Sequence, residues 1–405
     1  MTTTTGAATP QTAVHRRLPL LDVLRGTAIL GTLMTNVWVF TSPGAEWGVL
    51  QGSGGTPGFG SVPDGAETLF RLLADGKFLS LLTILFGAGL AIQHAAAERR
   101  GEPWPGRYRW RALFLFVEGT VHFLLVFAWD VLMGYAVTAL YVAWLLSRSE
   151  RARRRAMWWA AGVHVTVMGL LSAALALGDG DPAGGGGGVS PSVVELYAHG
   201  SWFEQIAFRV DNALALRIEP VLTFALLVFL FLLGVRLLRA GAFGADAVGR
   251  RLRARMLAWG LGLGVPLSVV CVLAGDAGFL AGRYVAAPLV AVGYMGLIGA
   301  VVDRLLPQGP DSVRPGPVTG AVMSLGRMAL SGYVVQNVLC VLVSYGIGLG
   351  LAARLGDTWR PWGVMGLWAA VCAVLLVGAN WWLRRFEAGP LEGVQRSVLR
   401  RVLRG

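Results

Sequence analysis

Charge is what this sequence has least of. Only 14% of its 405 residues are Asp, Glu, Lys or Arg, where soluble domains carry about 25%. With 55% hydrophobic residues and a mean hydropathy of +0.60, an ordinary soluble globule is excluded and an integral membrane protein expected. Lysine is nearly missing: Lys77 is the only one, and all other basic residues are Arg, a skew that fits coding bias better than any physical demand. Cysteine is scarce, and Cys271, Cys340 and Cys372 sit inside apolar runs without CxxC or Cys/His spacing. They read as small buried hydrophobes, which excludes a disulfide or zinc framework. No GxxxxGK[ST], HExxH, GxSxG or acidic cluster occurs, so P-loop ATP chemistry and zinc or serine hydrolysis lose their usual signatures. No bound metal and no tightly held cofactor is expected.

Long apolar runs are what the chain does have. Ten are long enough to read as helical spans: 18–40, 78–97, 112–128, 131–146, 156–177, 219–238, 256–274, 284–302, 329–349 and 362–383. The expected fold is therefore all-α, a polytopic transmembrane bundle over 18–383 with outer loops at 41–76 and 178–216. Residues 1–17 read as a disordered N-terminus, and 384–405 as a basic amphipathic tail. The 318–350 stretch is too long for one crossing, so it divides into an interfacial helix ending near Met328 and a span. A short amphipathic helix is expected at 193–207, and the Gly184–Gly188 run reads as a linker, because no GK[ST] follows it.

The net charge of +12 suggests nucleic acid until the positions are read. With the N-terminus in the cytoplasm, inner segments hold 26 of the 35 basic residues and outer segments seven, namely Arg71, Lys77, Arg209, Arg217, Arg283, Arg354 and Arg360. That bias sets both termini inside. It makes the anionic inner leaflet the partner of the basic loops, with no role for nucleic acid.

The first span organises the rest. It carries Asp22, Arg25, Thr32 and Asn36, which fall within roughly an 80° arc along about 20 Å of helix. Ionisable groups at that depth cost several kcal/mol unless paired or facing a cavity, so the stripe is expected to face the bundle interior and His122 of the third span. A structural Asp22–Arg25 pair explains the inner end equally well. Glu118 lies four residues before His122, on the same helix face, and Asp130, Asn36 and Lys77 fall at similar depth. An imidazole with a carboxylate to orient it and nearby donors is the composition of a general-base site. A buried, hydrogen-bonded core histidine is the plain alternative, and it is the better reading of His164.

Five motifs in order then resemble the YeiB-like bacterial inner-membrane proteins, a family of unknown function. They are LDVLRG with Asn36, KFLSLLTILFGAG from Lys77, GTVHFLLVFAWDVLMGYA from Gly119, LGRMALSGYVVQN from Leu325, and FEAGPLEGVQR from Phe386. The resemblance matches Asp22, Arg25, Asn36, Lys77, His122, Asp130, Tyr135, Arg327, Tyr333, Gln336, Gly389, Pro390, Glu392 and Arg396. Departures are Ser331, Gly332, Asn337 and Gly393, and Glu118 is outside the pattern. That family is distantly similar to the transmembrane acyltransferases, which include the heparan-glucosaminide acetyltransferase. The resemblance implies a multi-pass protein of the bacterial inner membrane that moves an acyl group from cytoplasmic acyl-CoA to a small-molecule or glycan acceptor outside. His122 would be the base, oriented by Asp130, with Asn36 or Lys77 stabilising the oxyanion. Asp22, Arg25, Lys77, Arg327, Tyr333 and Gln336 would bind substrate. The reactive histidine of the heparan enzyme lies in the loop after the first helix, and 41–76 here has none. A permease for a small metabolite, with Asp22, Arg25, Glu118 and His122 as a relay, is a second expectation, and a non-catalytic partner or sensor in a membrane complex, docking a neighbour through the tail 384–405, is a third.

Overall fold

The computed structural model describes residues 18–51, 58–177, 189–306, 315–356 and 359–402, and every long element among them is a helix. Apolar chain in hydrocarbon has little choice, because a helix satisfies all its backbone groups within the segment. The first half holds α1 (Pro19–Thr41), α2 (Ala45–Gly48), α3 (Val62–Ala74), α4 (Lys77–Arg100), α5 (Tyr108–Leu125), α6 (Leu132–Leu146) and α7 (Glu150–Leu177). Four short helices follow, α8 (Pro191–His199), α9 (Trp202–Asp211), α10 (Ala213–Leu216) and α11 (Ile218–Leu222). Then come α12 (Phe224–Arg239), α13 (Ala247–Leu273), α14 (Asp276–Ala281), α15 (Ala287–Leu305) and α16 (Pro317–Arg327). The last four are α17 (Ala329–Ser344), α18 (Leu351–Arg354), α19 (Arg360–Leu383) and α20 (Pro390–Val402). The N-terminal segment 1–17 and the glycine run 184–188 fall outside the described residues.

Among the described residues, six stretches are long and apolar enough to cross a membrane: α1, α3–α4, α7, α13, α14–α15 and α19. A seventh arises if α16 and α17, bent by 94° at their junction, form one broken span. Helices also stand at the remaining expected positions, but they are short: α5 has 18 residues, α6 has 15 and α12 has 16. The expected division of 318–350 coincides with the bend at Met328. The single helix expected at 193–207 is instead two, broken at Gly200. Ser201 and Glu204 form a capping box there, with the Ser201 N–H donating to Glu204 at 2.6 Å, so α9 starts afresh.

α1 is the hub, packing against α4, α16, α17 and α19. Glycine makes the closest of these crossings possible. A Cβ on Gly26 would run into the Val322 carbonyl, and one on Gly326 into the Asp22 carbonyl, so α1 and α16 touch backbone to backbone. α4 and α12 meet in the same reciprocal way through Gly87 and Gly234. Outward faces of α7, α13 and α19 expose Leu170, Val270, Leu273, Val374 and Val377, a surface suited to hydrocarbon.

Candidate functional site

The polar stripe of α1 faces the interior at both ends. Arg25 Nη1 lies 3.7 Å from Asp22 Oδ1, and Arg25 lines a cavity of about 230 Å³ with Arg111, Arg327, Gln93, Tyr108 and Tyr333. Thr32 is buried with its hydroxyl donating to the Ile29 carbonyl at 2.9 Å, and it joins Asn36 in lining a second cavity, of about 460 Å³. Arg71, Asp75, Glu219 and Arg283 bring charge to that second cavity, and Tyr333 lines it too. Tyr333 and Val131 belong to the walls of both. The two cavities therefore meet back to back, with the Tyr333 ring between them.

Asp130 is anchored by the break between α5 and α6. Its Oδ2 accepts from the Leu132 and Met133 N–H groups at 3.0 and 3.4 Å, covering open donors at the start of α6. Its Oδ1 accepts from the Tyr333 hydroxyl at 3.4 Å. Arg217 donates to the Asp130 backbone carbonyl at 2.8 Å and lies over the Phe123 ring at 4.0 Å. Asp130 also lines a narrow space of about 50 Å³ that shares Trp129, Val131 and Glu219 with the larger cavity. Gly119 faces this carboxylate, since a Cβ there would press on Asp130 Oδ2 and the Met133 nitrogen.

His122 sits behind Tyr333 and lines neither of the two cavities that share that ring. It is almost fully buried, stacks on the Tyr333 ring at 5.4 Å, and has Asn337 Nδ2 3.0 Å from its Nε2. The amide donates and the ring nitrogen accepts. His122 Nδ1, Asn337 Oδ1, one Glu118 oxygen and both amide atoms of Gln336 are buried without a hydrogen-bond partner among the described residues. Two expectations need correction here. Asp130 does not orient the imidazole, because its carboxylate is taken by the α6 N–H groups and Tyr333, and Asn337 does so instead. Lys77 is not beside His122: its ammonium donates to the Asp75 carbonyl at 3.1 Å, and the residue lines a third cavity of about 250 Å³ with Cys271 and Asp276, one that shares Arg71, Asp75 and Arg283 with the larger cavity. Arg327 does line the Arg25 cavity, while Gln336 is buried away from both.

The most deeply buried ion pair among the described residues was not foreseen from the sequence. Glu46 in α2 and Arg209 in α9 are fully buried and bonded twice, at 2.9 Å each. The Tyr197 and Tyr345 hydroxyls also donate to Glu46, at 3.1 and 3.2 Å. Arg209 further donates to the Leu124 and Val126 carbonyls at 3.0 and 3.1 Å, which ends α5 short of the residue 128 expected. Neither residue stands in any motif, and only a charge amid aromatics hinted at burial.

Comparison with known proteins places this arrangement among relatives of no assigned activity. Residues 237–401, which include α17 with Tyr333 and Asn337, match the family described as "Protein of unknown function (DUF418)". The chain is 26% identical to "Uncharacterized protein YxaH" of Bacillus subtilis (strain 168), over 96% of this chain and 95% of that protein. It is 27% identical to "Uncharacterized protein YeiB" of Escherichia coli (strain K12), over 94% of this chain and 96% of that protein. The resemblance to the YeiB-like family holds. A third relative is the "Uncharacterized 39.9 kDa protein in amylase 3'region" of Bacillus acidopullulyticus, 24% identical over 95% of this chain and 94% of that protein.

Proposed function

We propose that the chain crosses the bacterial inner membrane ten times over 18–383, with both termini cytoplasmic. In this reading it transfers an acyl group from cytoplasmic acyl-CoA to an acceptor at the outer face. One observation carries the proposal: the two cavities that share the wall of Tyr333 and Val131. The first, on the cytoplasmic side in this topology, presents Arg25, Arg111 and Arg327, and guanidinium groups are the donors best matched to phosphates. The second, on the outer side, holds the acceptor. The thioester meets the acceptor at the wall between them.

The acceptor oxygen attacks the thioester carbonyl carbon and forms the new C–O bond, while the C–S bond breaks. Its proton passes to Tyr333, whose own hydroxyl proton moves to Asp130; the proton held by Asp130 then returns through Tyr333 to the departing CoA thiolate, which leaves free CoA thiol and restores the carboxylate. Asn36 donates to the carbonyl oxygen as it gains charge. His122 and Asn337 hold the Tyr333 ring from behind, which makes them positioning residues.

The test is thiol release from acetyl-CoA by the purified protein, measured with and without acceptor. Tyr333→Phe keeps the stacking on His122 and removes the hydroxyl, and should lower kcat by roughly 10²–10⁴-fold. Release that survives this change, or no release with any acceptor, ends the proposal. A small-metabolite permease is the second reading, favoured because Tyr333 separates two cavities as a gate would. It predicts solute exchange in proteoliposomes without thiol release.

A further inference from the structure

The larger cavity has two unlike walls. One side is polar, with Asn36, Thr32, Arg71 and Asp75 from the α1 and α3–α4 region. The other is hydrocarbon: Met168, Leu171 and Leu175 of α7 face Phe279 and Leu280 of α14. Its volume of about 460 Å³ is that of a small-molecule site, and such sites are mostly apolar with a few placed polar groups. A purely hydrophilic acceptor would leave the hydrocarbon wall uncovered and lose the stabilisation of burying it.

The apolar wall is also thin. α7 packs on α12 and α14, and only Met157, His164 and Met168 of its 28 residues are buried. The opposite face of the helix is open, with Leu170 67% exposed. Its polar ties to the bundle are few: His164 lies 2.9 Å from the Tyr284 carbonyl, and Glu150, its first residue, accepts from Arg239 at 3.4 Å. A single loosely packed helix therefore lies between this cavity and the bilayer.

We infer that the acceptor is a membrane amphiphile, a hydroxyl-bearing head seated against Asn36 and Asp75 with an alkyl chain along α7 and α14. This rests on the acyl-transfer proposal and adds the substrate class to it. Charge in the cavity is mixed, with Arg71 and Arg283 facing Asp75 and Glu219, so the head it fits is an uncharged polyol.

The experiment uses full-length protein in phosphatidylcholine nanodiscs and dodecyl glucoside carrying a diazirine at the chain end. Photoadducts should map to α7 and α14 peptides and be displaced by octyl glucoside but not by glucose. Leu171→Trp and Leu175→Trp, which fill the apolar wall, should cut labelling about tenfold, while Leu170→Trp on the opposite face leaves it unchanged. Adducts spread evenly over the lipid-facing helices, displacement by glucose, or labelling unaffected by the filling variants would each overturn the inference. Thiol release from acetyl-CoA separates the two claims. Equal stimulation by glucose and octyl glucoside removes the amphiphile and leaves acyl transfer standing. Specific adducts with no release remove acyl transfer and leave the amphiphile site.

Discussion

A buried ion pair is most costly when half of it is lost. Arg209→Met leaves Glu46 charged in a closed pocket with only two tyrosine hydroxyls and should destabilise the protein by about 3–5 kcal/mol. Adding Glu46→Leu should restore part of that in thermal unfolding, and the carbonyls of Leu124 and Val126, still without Arg209, explain why the rest is not regained. An unchanged Tm in the single variant would refute this role. Gly119→Ala tests the same neighbourhood more gently, because its methyl group displaces Asp130 from the N–H groups of α6. Thiol release should fall severalfold with the fold intact, as read by size-exclusion chromatography. At this scale the sequence was partly legible. His122 stood out because an imidazole on an apolar helix is rare, but its partner Asn337 lies 215 positions away. Spacing along one helix pointed instead to Glu118, which the structure leaves unbonded to it.

Elements were more legible than their ends. The break at Met328 follows from length alone, since 33 residues of helix would rise about 50 Å. The stop at Leu125 does not, because Arg209 of a distant helix causes it. The C-terminal helix shows how such ties reach the site. Glu392 of α20 accepts from the Leu330 and Ser331 N–H groups at 2.9 and 3.3 Å, and from the Ser331 hydroxyl at 2.5 Å. It thus caps α17, which presents Tyr333 one turn later. Glu392→Ala should cost roughly 1–2 kcal/mol and loosen α20, making the tail a faster target in limited proteolysis. Equal cleavage rates in variant and parent would show that the cap does not hold it.

For the whole molecule, membrane character was readable from composition, and the turning of the α1 stripe toward interior cavities from the cost of exposing it to hydrocarbon. Orientation has a direct check. Cys271, Cys340 and Cys372 are buried, so a membrane-impermeant maleimide has little background to report. Ser190→Cys should label in intact cells, and Ser149→Cys only after permeabilisation. The reverse pattern would invert the proposed topology. Back-to-back cavities could not have been foreseen, because they arise where α1, α5–α6 and α17 converge from remote parts of the chain.

That thin partition has a bearing on the cell's energetics. In the location proposed above, a membrane across which a bacterium stores work as a proton gradient, one phenol ring and a valine would stand between two indentations in the insulator. Tyr333→Ala should let ions slip through, seen as dye-reported collapse of an imposed pH difference in proteoliposomes, whereas Tyr333→Phe keeps the seal. If the alanine variant holds the difference as well as the parent, something deeper than that ring maintains the insulation.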